Sequence, residues 1–255
     1  MHEKDNFIAV FDSGVGGISV LRHLRRILPD ERFLYFGDSA NAPYGSRPTE
    51  QIRELSLNAA EILFSQGCKA LVVACNTATS AAIDTLRQKY PEKIIIGIEP
   101  ALKPAVDRFP GGYIGVLATE VTLREEKFSR LLAHYGEKCQ VIRLPAPGLV
   151  ELIEQGKADS EEVESLLQKI LAPHLRKLDA LVLGCTHYPF VVDALRRIVG
   201  ETVTLFDGGE GTARETRRRL ESAGLLRQGK GEVVWQNSSS DTRMNKLCQS
   251  LLERK

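Results

Sequence analysis

Two cysteines occupy matching places in the sequence, and their thiols can act as acids, bases or nucleophiles. Cys75 lies in LVVACNTA (71–78) and Cys185 in LVLGCTHY (181–188). In both segments an apolar run ends in a small residue, then the cysteine, then a polar pair. A thiol at the end of a strand and the start of a helix lies near backbone N–H groups that favour an anion. The pattern predicts that the two thiols face each other across one substrate carbon.

Short polar side chains follow both thiols and also end the first predicted strand. They are Asn76, Thr77, Thr186, His187, Asp12 and Ser13. Amide and hydroxyl groups in such places can hold a carboxylate with neutral donors and leave the thiols free to react. His187 can also orient and deprotonate Cys185.

The other cysteines show no such pattern. The sequence has five cysteines and no CxxC pair, which argues against a disulfide framework and a zinc knuckle. Cys68, Cys139 and Cys248 lie in ordinary helix or strand patterns, and we expect them to be buried apolar residues. Cys185 with His187 would be half of a metal site, but no second cluster has ligand spacing, so no metal is predicted.

Two further kinds of site fail on their spacing. A cysteine phosphatase needs an arginine six positions after its thiol, where this chain has Ala81 and Val191. FDSGVGG (11–17) resembles a phosphate-binding loop, but Ser19 replaces the third glycine of G-x-G-x-x-G. Its glycines are better explained as letting the backbone approach a small ligand closely.

Short apolar runs alternate with amphipathic stretches along most of the 255 residues. Continuous Val/Ile/Leu runs flanked by helices are typical of strands buried on both faces, which predicts an α/β fold with mostly parallel sheets. The predicted strands are FIAVF (7–11), RFLYFG (32–37), ALVVA (70–74), KIIIGI (93–98), YIGVLA (113–118), CQVIRL (139–144), ALVLG (180–184) and TVTLF (202–206). Helices are predicted to end at Leu28, to begin near Thr49 and to follow the turn NSSSD (237–241).

A barrel of eight strands and a pair of separate sheets both fit this alternation. FDSGVGGISV (11–20) and VLATEVTLRE (116–125) each place small or hydroxyl residues just after a strand. Together with the two cysteine segments, this repeat favours two similar sheets that face each other across a cleft.

Composition excludes several partners. The formal net charge is +1, and the basic clusters are spaced like solvated helix faces, so no nucleic acid partner is predicted. No apolar run approaches the roughly 20 residues of a membrane span, and the N-terminus lacks a signal pattern. We therefore expect a cytoplasmic protein without a membrane partner.

Four motifs in order resemble those of the bacterial glutamate racemase family: FDSGVGGISVLRHL (11–24), YFGDSANAPYGSR (35–47), ACNTATSAA (74–82) and GCTHYPF (184–190). The resemblance implies a cofactor-independent racemase that supplies D-glutamate for peptidoglycan and forms a homodimer. It also implies two α/β domains, 1–97 plus 207–255 and 98–206, with the active site in the cleft between them.

Residue by residue, the resemblance implies that Cys75 and Cys185 are the acid/base thiols, with Cys75 facing the D-isomer and Cys185 the L-isomer. Asp12 and His187, with Glu154, match the groups that assist proton transfer. The substrate-binding matches are Asp12, Ser13, Tyr44, Gly45, Asn76, Thr77, Thr186 and His187, with Thr119 and Thr122 as further carboxylate contacts. The chain departs from the family pattern at Val121, Glu125, Ala146 and Glu151.

The long N-terminal extension that some members use for activation by a cell-wall precursor has no counterpart before Phe7. We therefore expect that form of control to be missing.

Two-base chemistry explains why a racemase would use two thiols. One group removes the α-hydrogen and the other returns one to the opposite face. The sequence shows no recognisable lysine site with a phosphate-binding loop, so pyridoxal phosphate is not indicated. Neutral hydrogen-bond donors are therefore expected to stabilise the charge that develops on the substrate. Asp12 and His187 are predicted to raise the basicity of the nearer sulfur.

Two other functions stay open on the sequence alone. One is a related two-cysteine racemase or isomerase acting on aspartate, a hydantoin or maleate. The other is a noncatalytic carboxylate-binding or interaction protein on the same scaffold.

Overall fold

The computed structural model describes residues 6–135 and 138–253. Their contacts divide the chain into two compact units. Unit 1 comprises the residues up to Ile98 together with those from Gly209, and unit 2 comprises Glu99–Gly208. Each unit contains its own parallel sheet flanked by helices, so the predicted α/β class is confirmed and a barrel is excluded. The predicted domains, 1–97 with 207–255 and 98–206, stay a prediction.

Unit 1 has a sheet of strand order β4-β3-β1-β2-β9 among the described residues. Its strands are β1 Ile8–Asp12, β2 Arg32–Gly37, β3 Ala70–Val73, β4 Ile94–Gly97 and β9 Glu232–Asn237. Its helices are α1 Ile18–Ile27, α2 Thr49–Ser65, α3 Asn76–Lys89, α10 Gly209–Ser222 and α11 Thr242–Glu253, with 3₁₀ turns at Ser39–Asn41 and Tyr44–Ser46.

Unit 2 has a sheet of strand order β6-β5-β7-β8 among the described residues. Its strands are β5 Tyr113–Ala118, β6 Gln140–Pro145, β7 Ala180–Leu183 and β8 Thr204–Asp207. Its helices are α4 Leu102–Arg108, α5 Glu120–Arg124, α6 Glu126–Tyr135, α7 Leu149–Glu154, α8 Glu161–Leu171 and α9 Val192–Val199, with a 3₁₀ turn at Tyr188–Val191.

The two sheets share one order of connections. In unit 1 the first strand pairs with the second on one side and the third on the other, and the fourth extends beyond the third. In unit 2, β5, β6, β7 and β8 repeat this arrangement. The third strand, β3 or β7, leads into a cysteine in each unit. Cys75 and Cys185 therefore occupy equivalent positions, as the sequence repeat suggests.

Burial explains why the strands are easy to recognise. Every residue of β1, β3 and β7 is buried, because helices cover both faces of a parallel sheet. The strand β9, EVVWQN, is absent from the predicted strands, and it is an edge strand with only half-buried side chains after Glu232. It pairs in parallel with β2. None of the described helices has the length and apolar character that a membrane crossing requires.

Candidate active site

The thiol of Cys75 caps a helix in unit 1. Cys75 is the extended residue between β3 and α3, and its Sγ accepts a hydrogen bond from the Ala78 N–H at 3.4 Å. The thiol is buried and lies 3.5 Å from the Ser13 Oγ, to which it donates. β1 and β3 are neighbours in register up to Phe11 and Val73, so the residues that follow them meet at one edge of the sheet. The pairing of Cys75 with Ser13 is a direct consequence.

Asp12 ends β1 at the same edge and is buried. Its Oδ1 accepts a hydrogen bond from the Gly14 N–H at 2.9 Å, which turns the chain away from the strand. A Cβ at Gly17 would lie 2.7 Å from the Cβ of Asp12 and 3.1 Å from that of Ala74. Gly17 is therefore needed for space, because it lets helix α1 begin directly against the carboxylate.

Tyr44 belongs to the loop between β2 and α2 and is fully buried. Its hydroxyl donates to Asp38 Oδ2 at 2.6 Å. Burial, together with the negative charge of Asp38 and then of Cys75 and Asp12, raises the pKa of Tyr44 far above that of a free phenol. The phenol therefore stays protonated close to the thiol. Gly45 follows in the same 3₁₀ turn and is half-buried.

Asn76 and Thr77 begin α3 and are buried. Neither Oδ1 nor Nδ2 of Asn76 has a hydrogen-bond partner among the described residues. A buried amide without partners is costly, and such groups occur where a ligand supplies the missing hydrogen bonds. Asn76 is therefore ready to bind a polar group beside Cys75.

The thiol of Cys185 ends a chain of three connected polar side chains in unit 2. Its Sγ lies 3.7 Å from Nδ1 of His187, and Nε2 of His187 lies 2.6 Å from Oε1 of Glu154. His187 is buried, and the side chain of Glu154 is 15% exposed. Glu154 is the last residue of α7, a helix that starts after Gly148 in the left-handed conformation, φ 84°. A thiol, an imidazole and a carboxylate are thus aligned.

Two opposing effects act on His187. Burial lowers the pKa of the imidazole, but the hydrogen bonds and negative charges of Cys185 and Glu154 outweigh it and raise the pKa well above 6.5. The imidazole therefore holds its proton at neutral pH. It can stabilise a thiolate at Cys185 and return a proton to it.

The remaining predicted residues of unit 2 lie at the same edge of its sheet. Thr119 follows β5 and caps α5, where its Oγ1 accepts from the Thr122 N–H at 3.2 Å and donates to the Thr122 Oγ1 at 2.9 Å. Thr119, Thr122 and Thr186 are all buried. A Cβ at Gly184 would lie 2.9 Å from the Cβ of Ala118, so glycine lets the cysteine strand end tightly against β5.

Two residues near the thiols are missing from the predicted site. Asp38 holds Tyr44 as described. Tyr188 is fully buried, and its hydroxyl has no partner among the described residues; burial and the charges of Cys185 and Glu151 raise the pKa of Tyr188 well above 10. Both stand inside motifs already recognised, YFGDSANAPYGSR and GCTHYPF. Their position in those motifs was the available signal.

The other three cysteines differ from this pair. All are buried and unlinked. Burial raises the pKa of Cys68 to about 12 and also raises that of Cys139, so neither is a reactive thiol. Within the described ranges, no three His, Cys, Asp or Glu side chains cluster as metal ligands would.

Comparison with known proteins shows which family the chain belongs to. The sequence pattern of the family described as Asp/Glu/Hydantoin racemase matches residues 16–216. Over 253 residues, covering 98% of this chain and 97% of the relative, the chain is 49% identical to the glutamate racemase of Clostridium perfringens strain SM101. The chain belongs to the Asp/Glu/Hydantoin racemase family.

Solved structures agree with this family membership. The glutamate racemase of Francisella tularensis in complex with D-glutamate is 27% identical, with a TM-score of 0.86 over 99% of this chain and 95% of that one. The Escherichia coli glutamate racemase in complex with L-glutamate and the activator UDP-MurNAc-Ala is 31% identical, with a TM-score of 0.83 over 96% and 94%. The predicted family resemblance is confirmed.

Proposed function

We propose that this racemase-family chain interconverts L-glutamate and D-glutamate without a cofactor. One observation carries the proposal: equivalent strands of two similar sheets each end in a buried thiol, and each thiol has its own hydrogen-bonding partner. Relatives named glutamate racemase match nearly the full length, which favours glutamate over aspartate, hydantoins and maleate.

The reaction needs two groups because one base would have to cross the carbon. We propose that Cys75 and Cys185 act on opposite faces of the α-carbon, each within about 3.5 Å of it when substrate is bound. One sulfur removes the α-hydrogen as thiolate, and the other delivers a proton as thiol. By the family match, Cys75 faces the D-isomer and Cys185 the L-isomer.

The neighbouring groups divide the work of proton transfer. Glu154 keeps His187 protonated, so the imidazolium stabilises the Cys185 thiolate and supplies its proton in the reverse direction. On the other face Asp12 serves Cys75 differently: its carboxylate makes the nearby sulfur more basic, so that it accepts the α-hydrogen more readily. Both roles follow from the family match, and the role of His187 is also supported by its contacts with Cys185 and Glu154.

The substrate carboxylates are held by neutral donors. In this proposal amide and hydroxyl groups come from both units. Unit 1 supplies those of Asn76 and Thr77, and unit 2 supplies those of Thr119, Thr122 and Thr186. Ser13 and the Tyr44–Gly45 turn complete the contacts. Donors that bind more tightly as the α-carbon loses its proton lower the barrier, and each 1.4 kcal/mol contributes about tenfold in rate.

The cellular role proposed is supply of D-glutamate for peptidoglycan. Both thiols must remain reduced, which fits the reducing cytoplasm. The homodimer that the family match implies is tested by light scattering of the purified protein, where a monomer at all concentrations would contradict it.

The decisive experiment incubates the protein with L- or D-glutamate in D₂O and measures both the optical rotation and the exchange of the α-hydrogen for deuterium. Two-base transfer gives product with deuterium at the α-carbon at early times, while the remaining substrate keeps hydrogen. Cys75→Ala and Cys185→Ala should each lower the rate by about 10³-fold or more. Cys68→Ala and Cys139→Ala remove buried thiols from the same two units and serve as matched controls with near wild-type rates.

Full activity in either catalytic variant would reject the two-thiol scheme. Faster α-hydrogen exchange on aspartate or a hydantoin than on glutamate would keep the chemistry but reject the substrate, and faster cis–trans isomerisation of maleate would reject both. Binding of glutamate without any exchange would favour the noncatalytic alternative.

A further inference from the structure

Asp38 is a buried carboxylate at the end of β2 that the proposed reaction does not use. Its side chain accepts from the Tyr44 hydroxyl at 2.6 Å and from Nδ2 of Asn41 at 3.0 and 3.1 Å. Its backbone N–H donates to the carbonyl of Asp12 at 2.9 Å. One residue thus links the end of β1 to the loop that carries Tyr44 and Gly45.

We propose that Asp38 is a positioning residue for substrate binding, because its carboxylate fixes the Tyr44–Gly45 turn beside Cys75. The inference rests on the proposed function, since its readout is the KM for the amino acid that is racemised. Asp38 itself does not touch the reacting atoms in this proposal.

The hydrogen bonds of Asp38 come only from uncharged donors within the described residues. No ion pair of Asp38 occurs there, and 5% of the residue is exposed. A buried anion is tolerated only when hydrogen bonds satisfy it. Hydrogen bonds to a charged acceptor are roughly twice as strong as those between neutral groups. The Asp38 carboxylate therefore holds the Tyr44 hydroxyl and the Asn41 amide in place through these hydrogen bonds.

Tyr44 fits this role as an anchor. Its ring packs edge-on against Phe11 with centroids 6.3 Å apart, and its hydroxyl proton is directed at Asp38. The phenol stays neutral near the thiol and cannot serve as a proton donor to substrate while Asp38 holds it. What the turn offers a ligand is then its backbone.

The rest of the loop is held separately. The Ala40 N–H donates to the Ser238 Oγ at 3.0 Å, and Nδ2 of Asn237 donates to the Ser39 Oγ at 2.9 Å. Nε of Arg47 donates to the carbonyl of Asn41 at 2.6 Å. Because these bonds do not involve Asp38, its loss should displace the Tyr44 turn while the loop as a whole stays attached.

The test compares Asp38→Asn, Asp38→Ala, Tyr44→Phe and the double variant Asp38→Ala/Tyr44→Phe. Asp38→Ala should raise the KM for glutamate about tenfold with a smaller change in kcat, the size of one hydrogen bond to a charged group. Tyr44→Phe should have a similar effect. The double variant should be no worse than Asp38→Ala, because both changes remove the same interaction.

Asp38→Asn provides the conservative rescue. Its amide oxygen can still accept from the Tyr44 hydroxyl, so a positioning role predicts a KM within a few-fold of wild type. Exposed Asp84→Ala and half-buried Tyr90→Phe, both on or beside α3, are the matched controls, with unchanged KM.

Wild-type KM in Asp38→Ala, or a double variant whose two effects multiply, would overturn the proposal. An unfolded Asp38→Ala leaves the decision to Tyr44→Phe, which removes a single oxygen: an unchanged KM there also overturns it. If the wild-type protein racemises a different amino acid, the same series is measured on that substrate, so failure of the glutamate proposal does not decide the role of Asp38.

Discussion

The two thiols follow equivalent strands, but the groups that lie beside them differ. In unit 1, Cys75 contacts a hydroxyl, Ser13, and a backbone amide. In unit 2, Cys185 lies next to an imidazole that is itself paired with a carboxylate. The repeated sheet fixes where a thiol stands, because the third strand ends at the same edge in both units. The loops that differ between the units fix which partner it meets.

The contrast predicts unequal losses when the partners are removed. His187→Asn should lower kcat/KM by about 10²-fold or more, because it removes a general acid/base group. Ser13→Ala should lower it less than about tenfold, since one neutral hydrogen bond is lost. Racemisation assays on both enantiomers measure this. Equal losses in the two variants would mean that the thiols are served alike.

The Glu154–His187 pair makes a second difference, in the dependence of stability on pH. The raised pKa of His187 means that its stabilising effect is complete below about pH 6.5 and is lost as the pH rises through the folded-state value. Glu154→Gln should therefore lower the free energy of unfolding by about 2 kcal/mol at about pH 6, and by progressively less as the pH rises through the folded-state pKa of His187. Urea unfolding of both proteins provides the measurement, and a pH-independent difference would contradict the pairing.

Isotope effects can show which thiol removes the α-hydrogen from which enantiomer. L- and D-glutamate have equal free energies, so any variant must lower kcat/KM equally in both directions. Slowing one proton transfer instead makes that step more rate-limiting. With α-deuterated substrates, Asp12→Asn should show the larger isotope effect, by about two-fold, from D-glutamate, and His187→Asn from L-glutamate. Matching patterns in the two variants would mean that the side assignment is wrong.

The smallest predicted effects on stability concern two buried groups without described partners. Asn76→Ala should leave stability equal or about 1 kcal/mol higher, because it removes an unsatisfied amide, but should raise KM about tenfold. Tyr188→Phe should stabilise the protein by a similar amount. The KM of this variant shows whether the Tyr188 hydroxyl in unit 2 contributes to substrate binding, as we propose for the Asn76 amide in unit 1. Thermal unfolding with matched kinetics measures both, and clear destabilisation of Asn76→Ala would show that its amide is already paired.

Much of this organisation can be predicted from sequence, for identifiable reasons. Strands β1, β3 and β7 are recognisable because burial on both faces makes them continuous apolar runs. β9 is not, because an edge strand with half-buried polar residues has no distinct periodicity. Contacts between segments that lie far apart in the sequence also leave no local pattern, so they cannot be predicted in this way.

The site shows the same division. Cys75 and Cys185 stand out because polar residues follow them in a fixed pattern. The link from His187 to Glu154 depends on where α7 packs, and the family resemblance rather than spacing pointed to it. Asp38 sits in a recognised motif, but only its geometry shows that it holds Tyr44.

The pairing of β9 with β2 has a consequence for synthesis on the ribosome. Unit 2 is one continuous segment, whereas unit 1 is split, and its edge strand comes from near the end of the chain. Because Asn237 and Ser238 also hydrogen-bond to the loop ahead of Tyr44, the contacts that hold this loop of unit 1 cannot form until residues 232–238 have been synthesised, after all of unit 2. A chain truncated after residue 231 would contain all of unit 2 but would lack the strand that pairs with β2 at the edge of unit 1.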